Sequence, residues 1–155
     1  MSKCAKGGNH PKAAVWVTHV AAVTALGDTL TSTWRSLLQG DSALVVDPQG
    51  QRQRLGSLPL AVVHGIAPQG PHSAIRRLVL RVLDQLPALP SDTRIITATT
   101  KAGIDNLERR ILGETAMADD MLLSDLGRFI SKHLHLSHPG VNISAACASS
   151  TIALG

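Results

Sequence analysis

The chain has 155 residues, 44% of them apolar, with 15 Lys+Arg against 11 Asp+Glu and a formal charge of +4. That length suits one ordinary domain with a buried core, and the apolar content excludes a disordered chain. Trp16, Trp34 and Phe129 are the only aromatic residues, so a base-stacking platform for single-stranded nucleic acid is set aside.

Residues 1–12 (Met-Ser-Lys-Cys-Ala-Lys-Gly-Gly-Asn-His-Pro-Lys) read as a loose polar leader. No apolar h-region precedes Ala13, so the leader does not read as a secretory signal. Ala13 to Ala22 is rich in β-branched residues and nearly continuous in apolar character, which predicts a buried strand. A turn follows over 23–28. Asp28 or Thr29 then caps a helix through Leu30, Trp34, Leu37 and Leu38, with Gly40 as its stop.

Residues 41–73 read as irregular structure with two short strand candidates, Val45–Val46 and Leu60–Val63. Ser73 caps a second helix through Ile75, Leu78, Val79, Val82, Leu83 and Leu86, closed by Pro87 and Pro90. Arg94–Thr100 is a second clear strand, 101–103 a loop, and Ile104–Leu112 a short helix. Asp119 or Asp120 begins another helix, with Met121, Leu122, Leu126, Phe129, Ile130 and Leu134 as its apolar set; His138-Pro139-Gly140 breaks it. A short strand then runs to Ala146, and a helix opens after Cys147. Strands alternating with helices argue for an α/β sheet covered on both sides, spanning 13–155 as one domain. The helical pattern is still running at Leu154, which leads to the expectation that the folding unit continues in a longer chain or in a second polypeptide.

Cys147 is the residue with the most chemistry. A thiol attacks as thiolate, and a helix N-terminus favours that form. Small neighbours (Ala145, Ala146, Ala148, Ser149, Ser150) allow a tight turn and the close approach of a carbonyl, and the Cys147 N–H is placed to hold an oxyanion. A thioester on such a cysteine is acyl-transfer chemistry. The local pattern leaves a second reading open, a small buried hydrophobe. Cys4 and Cys147 make no disulfide framework, which places the chain in a reducing cytoplasm. No apolar run reaches about 18 residues, so no membrane span is expected.

Ala146-Cys147-Ala148-Ser149-Ser150 with Ile152-Ala153-Leu154-Gly155 is similar to the active-site motif of the β-ketoacyl synthases of the thiolase superfamily, Ala-Cys-Ser/Ala-Ser/Thr followed by small and apolar residues. Two further matches stand in the right order. Residues 17–27 with Trp34 to Gly40 and Ser42 resemble the opening strand, turn and helix; Ile96 to Ile104 (Ile-Thr-Ala-Thr-Thr-Lys-Ala-Gly-Ile) resembles the strand and loop before the nucleophile. The likeness covers 13–155, the first part of such an enzyme.

The resemblance implies the N-terminal half of a layered α-β-α thiolase-like fold and a decarboxylative Claisen condensation. Cys147 takes an acyl group from a thioester. A malonyl thioester on a carrier protein loses CO2, and its carbanion attacks the acyl enzyme to give a 3-oxoacyl thioester, in fatty-acid or polyketide-type synthesis. The family's histidines and lysine belong to its later half, so Cys147 alone carries over. Chain-length-factor relatives lack the cysteine, which favours a condensing subunit. The resemblance further implies an acyl carrier protein or acyl thioester as substrate and a homodimer, or a heterodimer with a related synthase chain; the residues themselves give no expectation of a cofactor, a metal or nucleic acid. The alternative is a non-catalytic or split half acting as an assembly partner.

Other signals are weaker. Arg52 with Arg54, Arg76 with Arg77 and Arg109 with Arg110 are short pairs that read as a solvated face, with docking of an acidic carrier as their other use. His133, His135 and His138 lack the spacing to share one helix face and read as a polar helix end. His19 and His64 are the rivals for a Cys–His pairing with Cys147. Lys101 sits in a loop after a strand and reads as solvated. Gly7-Gly8 lacks the strand and helix of a phosphate loop.

Overall fold

The computed structural model describes residues 14–46, 59–66 and 70–154. Helix α1 (Leu30–Gln39) starts at Thr29, whose hydroxyl accepts from the Ser32 N–H at 3.0 Å, while the Ser32 hydroxyl accepts from the Thr29 N–H at 3.0 Å. Ser32 thus takes the place of the usual Glu or Gln in this reciprocal cap. Gly40 ends the helix at φ +75°, donating to the Leu37 carbonyl, a conformation that glycine adopts without a Cβ penalty. Strands β1 (Leu44–Val46) and β2 (Pro59–Ala61) pair antiparallel, Val45 facing Leu60.

Helix α2 (Ala74–Leu83) is capped by Ser73, whose hydroxyl accepts from the Ile75 N–H at 3.3 Å. It ends at Leu83, short of the expected Leu86. Strand β3 (Ile96–Ala98) leads through a loop into α3 (Ile104–Ile111). A single 3₁₀ turn, Ala118–Asp120, precedes α4 (Leu123–His133). Strand β4 (Val141–Ile143) and helix α5 (Ser149–Leu154) complete the order. β3 and β4 are parallel, with Thr97 opposite Asn142 and Ala98 opposite Ile143. Both α4 and α5 pack on this pair, while Ile96 and Val141 remain 54% and 60% exposed.

Two expectations are corrected. The strand over Ala13 to Ala22 is not formed: its described residues, 14–22, lie outside any sheet, and Val15, Trp16 and Val17 are 92%, 81% and 80% exposed. Apolar, β-branched residues favour a pleated surface, but a strand needs a neighbour to receive its backbone bonds. None of the described strands runs beside this one. Nor does α4 begin at Asp119 or Asp120: these lie in the 3₁₀ turn, the helix starts at Leu123, and neither aspartate caps it. Asp125 closes the helix start from within, its carboxylate accepting from the Leu122 and Met121 N–H groups at 2.8 and 3.2 Å.

Asp120 is used elsewhere. It is buried, accepts from the Ser73 N–H at 2.7 Å and the Arg76 Nε at 2.8 Å, and lies beside the amide of fully buried Asn106. Asp105 accepts from the Ser73 hydroxyl and, at 2.8 Å, from the Ala74 N–H. Asn106 donates to the Pro71 carbonyl at 2.9 Å. These bonds tie the start of α2 to α3 and the 3₁₀ turn, and the close fit shows at Gly103, where a Cβ would lie 1.8 Å from the Asp120 carbonyl oxygen. Leu126 and Ile130 of α4 are the buried apolar side chains among the described residues. The aliphatic core is therefore thin, and much of the packing around α2 and α3 is polar and hydrogen-bonded.

Candidate functional site

Residues 144–148 turn the chain from β4 into α5. Ala146 has φ +49°, a left-handed conformation that costs an alanine about 1–2 kcal/mol and so needs support from its surroundings. That support is on both sides of it. The Ala148 N–H donates to the Ala145 carbonyl at 3.0 Å, and the Ser149 N–H to the Ala146 carbonyl at 3.3 Å. The Ser149 hydroxyl accepts from the Ala145 N–H and donates to the Ala146 carbonyl, both at 2.8 Å. Ser149 is 4% exposed, whereas Cys147 is an exposed free thiol. The turn buries its fastening and presents its sulfur, which removes the reading of Cys147 as a small buried hydrophobe.

The Cys147 N–H meets no acceptor among the described residues. A thiol and a free amide N–H on one residue suit a thioester chemistry in which sulfur attacks a carbonyl carbon and an N–H receives the developing oxyanion. The thiol has no hydrogen-bond partner among the described residues, so the structure does not join it to a histidine. His19 lies in the exposed segment before α1, and the His64 carbonyl accepts from Arg81 at 2.8 Å in the turn after β2. His133 stacks on Phe129 with ring centroids 5.9 Å apart, and His135 sits at φ +54° just past the end of α4. Cys4, Gly7-Gly8, Arg52 and Arg54 lie outside the described residues.

The loop after β3 approaches the same edge. The Thr99 N–H donates to the Ile143 carbonyl at 3.2 Å, and the Asn142 amide donates to the Thr99 carbonyl at 3.4 Å. The Thr99 hydroxyl accepts from the N–H groups of Lys101 and Ala102 at 3.3 and 3.1 Å, with Ala102 held at φ +39°. Lys101 is exposed and has no ion pair among the described residues.

The arginines of the short pairs are partly consumed by the fold. Arg76 binds Asp120 and lies 4.7 Å over the Phe129 ring; Arg109 binds Glu114 and donates to the Gly70 and Thr115 carbonyls at 3.0 and 2.8 Å. These two positions hold loops in place, which weakens their reading as a solvated face. Burial pushes the Asp125 carboxyl up, but the Arg128 guanidinium and the Leu122 and Met121 N–H groups outweigh it and hold the pKa below the ordinary 3.8. Two open clefts stand apart from Cys147: one of ≈ 520 Å³ beside Arg76, Leu122, Arg128, Phe129 and Lys132, and one of ≈ 480 Å³ between α1 and the β1–β2 pair.

Sequence reasoning reached Cys147 and its small neighbours. It did not reach the fastening role of Ser149, for which the only signal was a hydroxyl two residues past the cysteine. Nor did it reach the buried set of Asp105, Asn106 and Asp120, whose partners lie far along the chain.

No family model matches the chain, and no curated protein matches it. Among solved structures, the chain is similar to one from Xenorhabdus doucetiae, the ketosynthase ApeO in complex with its chain length factor ApeC, with a TM-score of 0.66 and 20% sequence identity. The match covers 87% of this chain and 41% of that one, so the chain spans less than half the length of its structural relative. The fold is therefore ketosynthase-like over the matched part of the chain, in agreement with the expected thiolase-like fold class. No helix among the described residues is long and apolar enough to cross a membrane.

Proposed function

We propose that this chain carries the acyl-accepting half of a condensing enzyme, with Cys147 as nucleophile. The observation that supports this most directly is an exposed thiol at a fastened strand-to-helix turn within a ketosynthase-type fold. The Cys147 thiolate attacks the carbonyl carbon of an acyl thioester, the C–S bond to the donor breaks, and the donor thiol leaves with a proton. A malonyl thioester then loses CO2, and its carbanion attacks the acyl-Cys147 carbonyl. The 3-oxoacyl thioester forms and the Cys147 thiolate is released. The general acid and base for the second stage are not assigned to residues of this chain. An acyl carrier protein is the proposed donor.

A second reading is an assembly role beside a related synthase chain, and a specific observation favours it. Trp16, Val17, Trp34, Leu38, Leu44 and Val45 are each more than half exposed, and apolar surface on that scale marks a contact face. The matched structure is itself a complex, of a ketosynthase with its chain length factor. The two readings are compatible when this chain supplies the cysteine and its partner the rest.

The test is transfer. Incubation with an acyl thioester of an acyl carrier protein is expected to add one acyl mass to the chain, mapped to the Cys147 peptide and absent from Cys147→Ala. Persistence of the adduct in Cys147→Ala, or its absence from the wild-type chain both alone and with a related synthase chain added, would falsify the acyl-accepting reading.

A further inference from the structure

β3 and β4 run parallel, so both strands deliver their following loops to one edge of the pair. In open α/β sheets that carboxyl edge is where ligands are met. Register fixes how close the two loops start: Ala98 faces Ile143, across a strand spacing of about 4.8 Å. Thr99 is bonded to Ile143, and Asn142 to Thr99, so the loop after β3 is tied to β4 at the point where the nucleophile turn begins. Lys101 lies two residues beyond Thr99, and Cys147 four residues beyond Ile143. α5, which opens just after Cys147, packs on both β3 and β4 and so keeps the turn beside the strand that leads into the Lys101 loop.

The Lys101 loop is shaped rather than slack. The Thr99 hydroxyl gathers the N–H groups of Lys101 and Ala102, and Gly103 is pressed onto the Asp120 carbonyl at the head of α3. The ammonium itself is committed to no carboxylate among the described residues. Salt bridges occupy Arg76, Arg81, Arg109 and Arg128. An unpaired cation on a flexible four-carbon stem, at the edge that carries the thiol, attracts anions to that edge.

We propose that Lys101 is a positioning residue that favours negatively charged electrophiles over neutral ones at Cys147. The ligand class is an acyl thioester bearing an anionic group. The proposal rests on Cys147 as the reacting thiol, but its test reads the charge at position 101 separately.

Two alkylating probes of similar size measure it: iodoacetate, which is anionic, and iodoacetamide, which is neutral. In both, the Cys147 sulfur displaces iodide and forms a thioether. Anything Lys101 does to the thiol's own ionisation alters both rates alike and cancels in their ratio. Cys4, followed by peptide mapping in the same sample, is the internal reference. The iodoacetate-to-iodoacetamide ratio at Cys147 is expected to fall about threefold to tenfold in Lys101→Ala at low ionic strength. It falls further in Lys101→Glu and is restored in Lys101→Arg, while the ratio at Cys4 stays constant. In ~1 M salt, where the Debye length is about 3 Å, the wild-type preference collapses toward the Lys101→Ala value. A ratio at Cys147 that is equal in the wild type, Lys101→Ala and Lys101→Glu overturns the proposal. Slow reaction of Cys147 with both probes, no faster than Cys4, counts against the nucleophile instead and leaves the ratio to decide on Lys101.

Discussion

The Ser149 hydroxyl bridges the Cys147 turn, accepting from the Ala145 N–H at 2.8 Å from the far side of Cys147. It also donates to the carbonyl of Ala146, the residue held at φ +49°. Ser149→Ala leaves a part-buried N–H without its partner and is expected to cost about 1–2 kcal/mol in chemical denaturation. Ser149→Thr, which keeps the hydroxyl, is expected to recover most of that loss. Equal stability of the alanine variant and the wild type would show that the backbone bonds alone hold the turn.

Helix α4 reaches the β3–β4 pair through two glycines. A Cβ built on Gly140 would lie 2.6 Å from the Gly127 backbone, and one on Gly127 would lie 3.0 Å from Gly140. Neither contact is with a flexible side chain, so the helix must move to admit a methyl group. Gly140→Ala is expected to destabilise the chain by about 1–3 kcal/mol, read as a lowered denaturation midpoint. The thin apolar core of Leu126 and Ile130 lies on the same helix, so the displacement is felt there as well. An unchanged midpoint would mean that α4 is not packed this closely.

Acid sensitivity traces to Asp125. Its carboxyl is held below the ordinary 3.8, so the native state binds the proton more weakly than the unfolded chain. The sign follows from linkage: the stabilisation is present above the unfolded value and is lost as pH falls through the lower native one. Asp125→Asn is expected to lower stability near neutral pH and to flatten the loss of stability below pH 3.8. Parallel pH profiles for the variant and the wild type would contradict this.

What could be seen in the sequence was what depends on near neighbours. Thr29 and Gly40 bound α1 as expected because a cap and a left-handed stop are set by residues within one turn. Ser73 was visible as the α2 cap for the same reason, and Cys147 by the small residues around it. The segment 14–22 misled because its composition describes a strand, while strand formation depends on a partner that the local sequence does not specify. Asp120 misled in the opposite way. It reads as a helix start, but its carboxylate serves Ser73 and Arg76, 47 and 44 residues away. That the loops after β3 and β4 leave one edge of the pair was equally hidden, since it comes from the parallel register of strands at 96–98 and 141–143.

The most direct measurement of the central claim is a competition between the two cysteines for a cysteine-directed acyl analogue, followed by intact mass and peptide mapping. A thiol presented on a fastened turn of a ketosynthase-type fold is predicted to take the label first, at Cys147, with Cys4 modified only after prolonged exposure. Denaturing the chain is predicted to erase the difference. Labelling of Cys147 no faster than Cys4 in the folded chain would contradict the account.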